Sequence, residues 1–331
     1  PNIIARPRPE RVPITGVSLL IWRGWKDSGF VIDWAAIYTN LVLRLPGTIN
    51  INELQSRLNE IVKRHDSLRM RAAEIDGSPY FIYDDDFLPK IEEVDIPSTS
   101  FFSFGGKTRE KLIRKTISEK ILEPLKFDNE NLISGNLMRV TLINNSGHEK
   151  ILVCAFHHII TDFMSIEIIA NELDIAYENP NPEESPQVNR PAIQYHDHVL
   201  SMSEWLLTDS GIAAEKYWEQ KLSLDKPFRV ESDEEIEGLP DNIPHSCERF
   251  LKESVVERLD LFSTKYKFSV FTILMAVQAS ITMKMGGGTD AMIKLVHNGR
   301  DQKILFDQVG CYANIFPMRL DLSGDPTFTT L

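Results

Sequence analysis

Length, composition and charge narrow the class of protein. The 331 residues are 42% apolar and 25% charged, which is typical of a globular chain of one or two domains. The 48 acidic residues outnumber the 36 basic ones, and the net charge of −12 argues against a nucleic-acid partner, because an acidic surface repels phosphate groups. No segment approaches the about 18 uncharged apolar residues of a membrane span, so no membrane partner is expected.

Cysteine content and termini add two expectations. The three cysteines, Cys154, Cys247 and Cys311, are an odd number without the spacing of metal ligands. They predict reduced thiols and a cytoplasmic location. The sequence starts at Pro1 without an initiator methionine or a signal peptide and stops abruptly at Leu331, which favours a segment of a longer polypeptide.

Hydrophobic periodicity predicts strands and helices in alternation along the first half of the chain. Apolar residues at helical spacing follow Asn50, which is expected to cap that helix. Strands are predicted at 36–45, 68–72, 80–83, 137–143 and 150–156, and further helices at 108–123 and 163–177.

A segment rich in proline and acidic residues, 179–192, predicts a linker. Helices are expected beyond it at 193–222, 254–267 and 269–285, and strands at 292–296 and 315–322. Helices and strands thus recur on both sides of the linker. We predict an α/β protein of two lobes, 1–178 and 193–331.

One segment carries residue types suited to chemistry. The strand at 150–156 leads into His157 and His158, and Asp162 stands where the next helix would begin. Successive side chains of a strand point to opposite faces, so the two histidines are not expected to share a cavity, or a metal ion, if the strand continues through them. Cys154 in this apolar strand is expected to be a packed thiol. The spacing alone fits either a histidine that transfers protons or a core pair followed by an N-capping aspartate.

Residues 157–165, HHIITDFMS, resemble the HHxxxDG-type motif of the condensation domains of nonribosomal peptide synthetases, which are similar in fold to chloramphenicol acetyltransferase. Four further blocks resemble motifs of that family in the same order. They are RHDSLR at 64–69, QYHD and YW at 194–197 and 217–218, VHNGR at 296–300, and GCYANIFPMR at 310–319.

The resemblance implies two chloramphenicol-acetyltransferase-like lobes, mixed sheets with flanking helices, that form a V with the active site at the lobe interface, the second lobe being incomplete here. It implies an acyltransferase in which an acceptor nucleophile attacks a donor thioester to form an amide or an ester. Donor and acceptor carrier proteins would present the substrates on phosphopantetheine arms, so no cofactor or metal of its own is expected. The other expected partners are neighbouring domains of a peptide-synthetase or hybrid polyketide–peptide assembly line.

The resemblance also assigns roles within the catalytic motif His157, His158 and Asp162. His158 matches the second histidine of the family, which acts as a general base or orients the nucleophile and stabilises the charged intermediate. His157 is expected to be structural. Asp162 is expected to hold the motif loop through an ion pair with Arg300, and Asn314 is expected to support the cleft.

Two departures from the family pattern qualify this function. Phe163 replaces the glycine that follows the motif aspartate and is expected to narrow the cleft, whereas Ser165 matches the family and is expected to line it or to satisfy the first turn of its helix. Residues 15–21, TGVSLLI, lack the glutamine and arginine of the first family box. A catalytically silent relative that docks carrier proteins or a tailoring enzyme therefore stays open, as does a stand-alone acyltransferase that uses small thioesters such as coenzyme A.

Overall fold

The computed structural model describes residues 1–27, 38–96, 106–123, 137–145, 149–178, 191–223, 249–285 and 288–330. The chain divides into two compact units. Unit 1 comprises residues 1–208 and 298–314, and unit 2 comprises residues 209–297 and 315–331. Of the predicted linker at 179–192, residues 179–190 lie outside the described residues.

Seven strands and five α-helices are described in unit 1. They are β1 (Arg11–Pro13), α1 (Gly16–Asp27), β2 (Tyr38–Pro46), α2 (Ile51–Arg64), β3 (Met70–Ile75), β4 (Ser78–Tyr83), β5 (Ile91–Asp95), α3 (Gly106–Leu122), β6 (Met138–Asn145), β7 (Glu149–His157), α4 (Phe163–Glu178) and α5 (Tyr195–Leu206). A short 3-10 helix, Asp66–Arg69, precedes β3 where the sequence predicts a strand from residue 68.

The larger sheet of unit 1 has the strand order β2-β7-β6-β5 and carries the functional motif. β7 pairs antiparallel with β2 and β6, while β5 runs parallel to β6. Alternate residues of β7 belong to different cores: Leu152 and Phe156 pack in the main core, while Ile151 and Val153 pack with Ile113 of α3. β7 is therefore buried on both faces, which explains its continuous apolar run.

The second part of unit 1 is a smaller sheet of order β1-β4-β3, which α5 contacts through β1. The sequence assigns residues 193–208 and 298–314 to the second lobe, whereas the structure places them in unit 1. The reason is burial, because Tyr195, Val309 and Tyr312 join the main core of unit 1.

Unit 2 contains three described helices and a two-stranded sheet. They are α6 (Asp209–Leu222), α7 (Glu253–Tyr266), α8 (Val270–Lys284), β8 (Asp290–His297) and β9 (Asn314–Asp321), the last of which begins at the final residue of unit 1. The predicted helix 193–222 is two helices, because the chain turns at Leu207 and Thr208. Among the described residues no single helix meets the length and apolarity of a membrane span, and α7 and α8 meet them only as a pair bent by 105°.

Candidate functional site

His157, the last residue of β7, lies within the core of unit 1. Its side chain is 3% exposed, its Nδ1 accepts the Ile159 N–H at 3.1 Å, and its own N–H donates to Leu137 O at 2.8 Å. Burial lowers its pKa to about 3, and the neighbouring His158 acts in the same direction. His157 is therefore a neutral imidazole that orders the following turn.

His158 leaves the strand and stands in the turn that joins β7 to α4. Because β7 ends at His157, the alternation of strand side chains does not extend to His158. The turn is closed by the Ile160 N–H and the Thr161 hydroxyl, which both donate to His157 O at 3.1 Å. The His158 side chain is partly exposed, and its Nδ1 lies 3.8 Å from Cys311 Sγ.

Asp162 caps α4 and simultaneously binds backbone from a distant part of the chain. Its Oδ1 accepts the Ser165 N–H at 2.9 Å, as an N-cap carboxylate does. Its Oδ2 accepts the N–H groups of Tyr312 and Ala313 at 3.0 and 3.1 Å. The carboxylate therefore ties the histidine turn to the loop before β9.

Arg300 completes the coordination of that carboxylate. Its Nη1 donates to Asp162 Oδ2 at 2.6 Å and its Nη2 to Oδ1 at 3.0 Å, in a bidentate pair whose side chains are 1% and 2% exposed. Nη2 also donates to Gln308 O at 3.0 Å, and the guanidinium lies 4.4 Å from the centre of the Tyr312 ring. The structure thus brings together the two residues that the family resemblance pairs.

The loop 308–313 is held by side chains from several elements of unit 1. Ser165 Oγ accepts the Gly310 N–H at 3.0 Å and lies 2.7 Å from Asp162 Oδ1. Ser67 Oγ donates to Val309 O at 2.8 Å. Ser165 therefore serves both the first turn of α4 and the anchoring of this loop.

The block at 64–69 forms a buried polar cluster behind the site. Arg64 and His65 both contact Glu172 of α4, His65 through Nε2 at 2.9 Å from Glu172 Oε1. Asp66 pairs with Arg69. These contacts fix α4 against α2 and give the block a structural role.

The histidine turn and the 308–313 loop are also contacted by Ser18, which no motif singled out, and by Tyr195 of the block at 194–197. Ser18 of α1 donates through Oγ to Ile159 O at 2.9 Å and lies 3.3 Å from Tyr195 OH. Tyr195 OH donates to Cys311 O at 3.2 Å. Ser18 stands within the 15–21 segment, whose only sequence signal was its departure from the family box.

Two residues predicted for the cleft lie at the surface of unit 1. Phe163, the first residue of α4, is 72% exposed. Asn314 is exposed at the first residue of β9. Their roles stay predictions.

The remaining chemical groups of this region are thiols. Burial raises the pKa values of Cys154 and Cys311 to about 12, so both are protonated at neutral pH. Cys154 is packed in β7, and Cys247 lies outside the described residues. Within the described ranges, no three histidine, cysteine or acidic side chains are grouped as metal ligands.

Comparison with known sequences identifies the family of the chain. The family model described as "Condensation domain" matches residues 35–331. One of the linear gramicidin synthase proteins of Brevibacillus parabrevis is 24% identical over 330 residues, which cover 99% of this chain and 4% of that protein. The dimodular nonribosomal peptide synthase of Bacillus subtilis (strain 168) is 25% identical over 339 residues, with 100% of this chain and 13% of that protein covered. The chain therefore spans a small part of the length of these relatives.

Comparison with solved structures gives the fold. The complex of the X-domain and OxyB from teicoplanin biosynthesis matches with a TM-score of 0.79 and 22% identity, covering 100% of this chain and 69% of that one. The first condensation domain of the calcium-dependent antibiotic synthetase, in complex with a substrate analogue, matches with a TM-score of 0.73 and 16% identity, covering 96% and 72%. The mixed α/β elements and the family match confirm the resemblance: the chain belongs to the condensation-domain family and has its chloramphenicol-acetyltransferase-like fold.

Proposed function

We propose that this condensation domain joins a donor acyl group to an acceptor nucleophile, with His158 as the general base. The observation that carries the proposal is the position of His158. Its partly exposed imidazole stands on a turn whose backbone is fixed on both sides, and its Nδ1 faces Cys311 within unit 1. Nε2, on the other side of the ring, is the nitrogen left for a substrate.

The reaction follows from that nitrogen. The acceptor amine attacks the carbonyl carbon of the donor thioester, so that a C–N bond forms and the C–S bond breaks. His158 Nε2 takes the proton that the attacking nitrogen loses and returns it to the departing thiolate sulfur. A positioned base of this kind contributes about 10²–10⁴ in rate. A hydroxyl acceptor would give an ester by the same transfers.

Asp162 and Arg300 act in this proposal as positioning residues. Their bidentate pair and the three backbone N–H groups on Asp162 hold the histidine turn before substrate binds. Such preorganisation raises the rate because the turn does not have to reorder in the transition state.

The proposed substrates are acyl and aminoacyl groups on the phosphopantetheine arms of carrier proteins, within a peptide-synthetase or hybrid polyketide–peptide assembly line. The names of the peptide-synthase relatives support this partner class. The proposal requires no cofactor of the domain's own. Location in the cytoplasm stays a prediction.

The test is a condensation assay on the chain within its native polypeptide, with an acyl-loaded donor carrier and an aminoacyl-loaded acceptor carrier. His158→Ala is expected to lower the rate of product formation about 10²–10⁴-fold. His158→Gln keeps a polar side chain of similar size but cannot accept the proton, so an equal loss supports the base role. Circular dichroism checks that both variants fold, and a folded His158→Ala with the wild-type rate would refute the proposal.

A second function has an observation in its favour. The X-domain that this fold resembles was solved as a complex with OxyB, and Phe163 occupies the position of the family glycine. A platform that docks carriers or a tailoring enzyme would bind acyl-loaded carriers and yield no product from any donor and acceptor pair. An arm of the assay with acyl-coenzyme A as donor identifies a stand-alone acyltransferase.

A further inference from the structure

Two buried hydroxyl groups meet beside the histidine turn, one from α1 and one from α5. Ser18 Oγ and Tyr195 OH lie 3.3 Å apart, and the two residues are 0% and 3% exposed. Each hydroxyl also donates to a backbone carbonyl, Ser18 to Ile159 O at 2.9 Å and Tyr195 to Cys311 O at 3.2 Å. The pair therefore connects four segments of unit 1 that are distant in sequence.

Ser18 holds the residue that follows His158. The Ile159 N–H donates to His157 Nδ1 at 3.1 Å, so with the Ser18 hydroxyl on its carbonyl both backbone polar groups of Ile159 have side-chain partners. The first of these groups belongs to the peptide that joins His158 to Ile159, and the second belongs to the next peptide. Ser18 therefore restricts the backbone on the carboxyl side of His158.

Tyr195 holds the residue that lies beside the imidazole. Cys311 Sγ is 3.8 Å from His158 Nδ1, and the carbonyl of the same cysteine accepts the Tyr195 hydroxyl. The Tyr195 ring packs edge-to-face against Phe81 and Tyr312, with centroid distances of 6.2 and 5.3 Å. Because this packing does not involve the hydroxyl, Tyr195→Phe removes the hydrogen bond and keeps the ring in place.

These two bonds complement those of Asp162. An ionised carboxylate can only accept hydrogen bonds, and Asp162 accepts the N–H groups of Tyr312 and Ala313 from the 308–313 loop. The two hydroxyls instead donate to carbonyl groups, one in the turn and one in the loop. The histidine turn and the 308–313 loop are thus held by two separate sets of bonds.

We infer that Ser18 and Tyr195 are positioning residues for His158, and that their hydroxyls keep its imidazole in the orientation from which Nε2 meets the acceptor nucleophile. This rests on the proposed function and deepens it, because a general base must stay within hydrogen-bond reach of the proton that it removes. Without either hydroxyl, His158 spends less time in the reactive orientation, so kcat falls while the loaded carriers bind as before.

The test is the condensation assay on the chain within its native polypeptide, with kcat and KM measured separately for Ser18→Ala and Tyr195→Phe. Each variant is expected to lower kcat about 3- to 10-fold, the factor for one ordinary hydrogen bond, with KM for the loaded carriers unchanged. Ser18→Cys keeps a weaker donor of similar size and is expected to give a kcat between those of the wild type and Ser18→Ala.

Two control variants remove hydroxyls of the same kind elsewhere in unit 1. Ser203 donates to Val199 O at 2.8 Å within α5, and Tyr83 OH lies 3.1 Å from His196 Nδ1. Ser203→Ala and Tyr83→Phe are expected to keep the wild-type kcat. Urea denaturation of all five variants provides the comparison with stability, because a purely structural role would lower the denaturation midpoint and leave the kcat of the folded protein unchanged.

The outcomes separate this inference from the proposed function. A wild-type kcat in Ser18→Ala or in Tyr195→Phe, a raised KM with unchanged kcat, or an equal loss of kcat in the control variants overturns the inference. In each case a strong effect of His158→Gln leaves the proposed function in place. If His158→Gln condenses at the wild-type rate, the proposed function fails, and the inference fails with it whatever the hydroxyl variants do.

Discussion

The carboxylate of Asp162 and the guanidinium of Arg300 form a bidentate pair inside unit 1, although 138 residues separate them along the chain. Both side chains are almost completely removed from water. Desolvating two charges is costly, and here five N–H groups on the carboxylate compensate for it: two from Arg300 and one each from Ser165, Tyr312 and Ala313. The pair is therefore vulnerable to loss of either partner.

Replacement of Arg300 by methionine is expected to destabilise unit 1 by about 3–5 kcal/mol, because Asp162 is left as an uncompensated buried charge. The measurement is the denaturation midpoint in urea. Arg44→Ala is the control, since Arg44 pairs with Glu110 and Glu149 at the surface, where an ion pair contributes about 0–1 kcal/mol. Equal midpoints for the two variants would contradict the assigned importance of the buried pair.

Gly299, next to Arg300, is expected to tolerate no side chain. Its φ is +69°, and a Cβ at this position would lie 1.8 Å from Tyr312 O. Gly77 has a similar φ of +74°, with no atom within 4 Å of such a Cβ. Gly77→Ala is therefore expected to lower the free energy of unfolding only by the about 1–2 kcal/mol that a left-handed backbone conformation costs an L-residue. Thermal denaturation should show that Gly299→Ala loses about 1–3 kcal/mol more unfolding free energy than Gly77→Ala does. Equal losses in the two variants would show that the 308–313 loop moves to make room for the side chain.

His157 is expected to make the stability of unit 1 depend on pH. Its folded pKa is about 3 against a usual 6.5, so between these values the unfolded chain binds the extra proton. The free energy of unfolding therefore falls as the pH is lowered through this window, by about 1.4 kcal/mol per pH unit. Acid denaturation measures this slope.

The comparison for that slope is His157→Asn, which has no titrating group and retains an oxygen that can accept the Ile159 N–H. The difference in free energy of unfolding between the wild type and this variant should become steadily smaller from pH 6 to pH 4.5, because only the wild type contains the titrating His157. Parallel curves would show that His157 is not the residue responsible. His198, whose pKa burial lowers to about 4, contributes equally to both proteins and cancels in the difference.

Phe163→Gly is expected to change the range of accepted donors and acceptors more than it changes stability. The side chain is 72% exposed at the first position of α4, so its removal uncovers little of the core. The condensation assay with a panel of small and bulky acyl groups measures the range, and thermal denaturation measures the fold. Leu207→Gly, at another exposed apolar residue, serves as the comparison. A large stability loss with unaltered selectivity would refute the expectation.

Elements with strong periodicity were predictable from the sequence. The helix after Asn50 is α2, and Asn50 Oδ1 accepts the N–H groups of Asn52 and Glu53 at 3.0 and 3.3 Å, as the cap predicted. The apolar run at 150–156 lies within β7. These features are local, since helix caps and buried strands are encoded by neighbouring residues.

The membership of residues 193–208 and 298–314 in unit 1 was not predictable in the same way. Tyr195 and Tyr312 reach the core only through packing between residues far apart in sequence, which leaves no periodic signal. The resemblance anticipated the contact of Asp162 with Arg300, whereas no sequence motif indicates the contact of Ser18 with the histidine turn. Short motifs reveal shared chemistry, but not the neighbours that a particular chain supplies.

The discontinuity of unit 1 has a consequence for biosynthesis. Arg300 and the loop 308–313 leave the ribosome long after Asp162, with about 7–30 s between them at 5–20 residues per second. Throughout that interval the nascent chain carries a carboxylate destined for the interior without the guanidinium that neutralises it. The contacts that Arg300 and the 308–313 loop make with Asp162 can therefore form only after residues 298–314 have been synthesised, and ribosome stalling within residues 209–297 would yield nascent chains that contain all of β7 but lack these contacts.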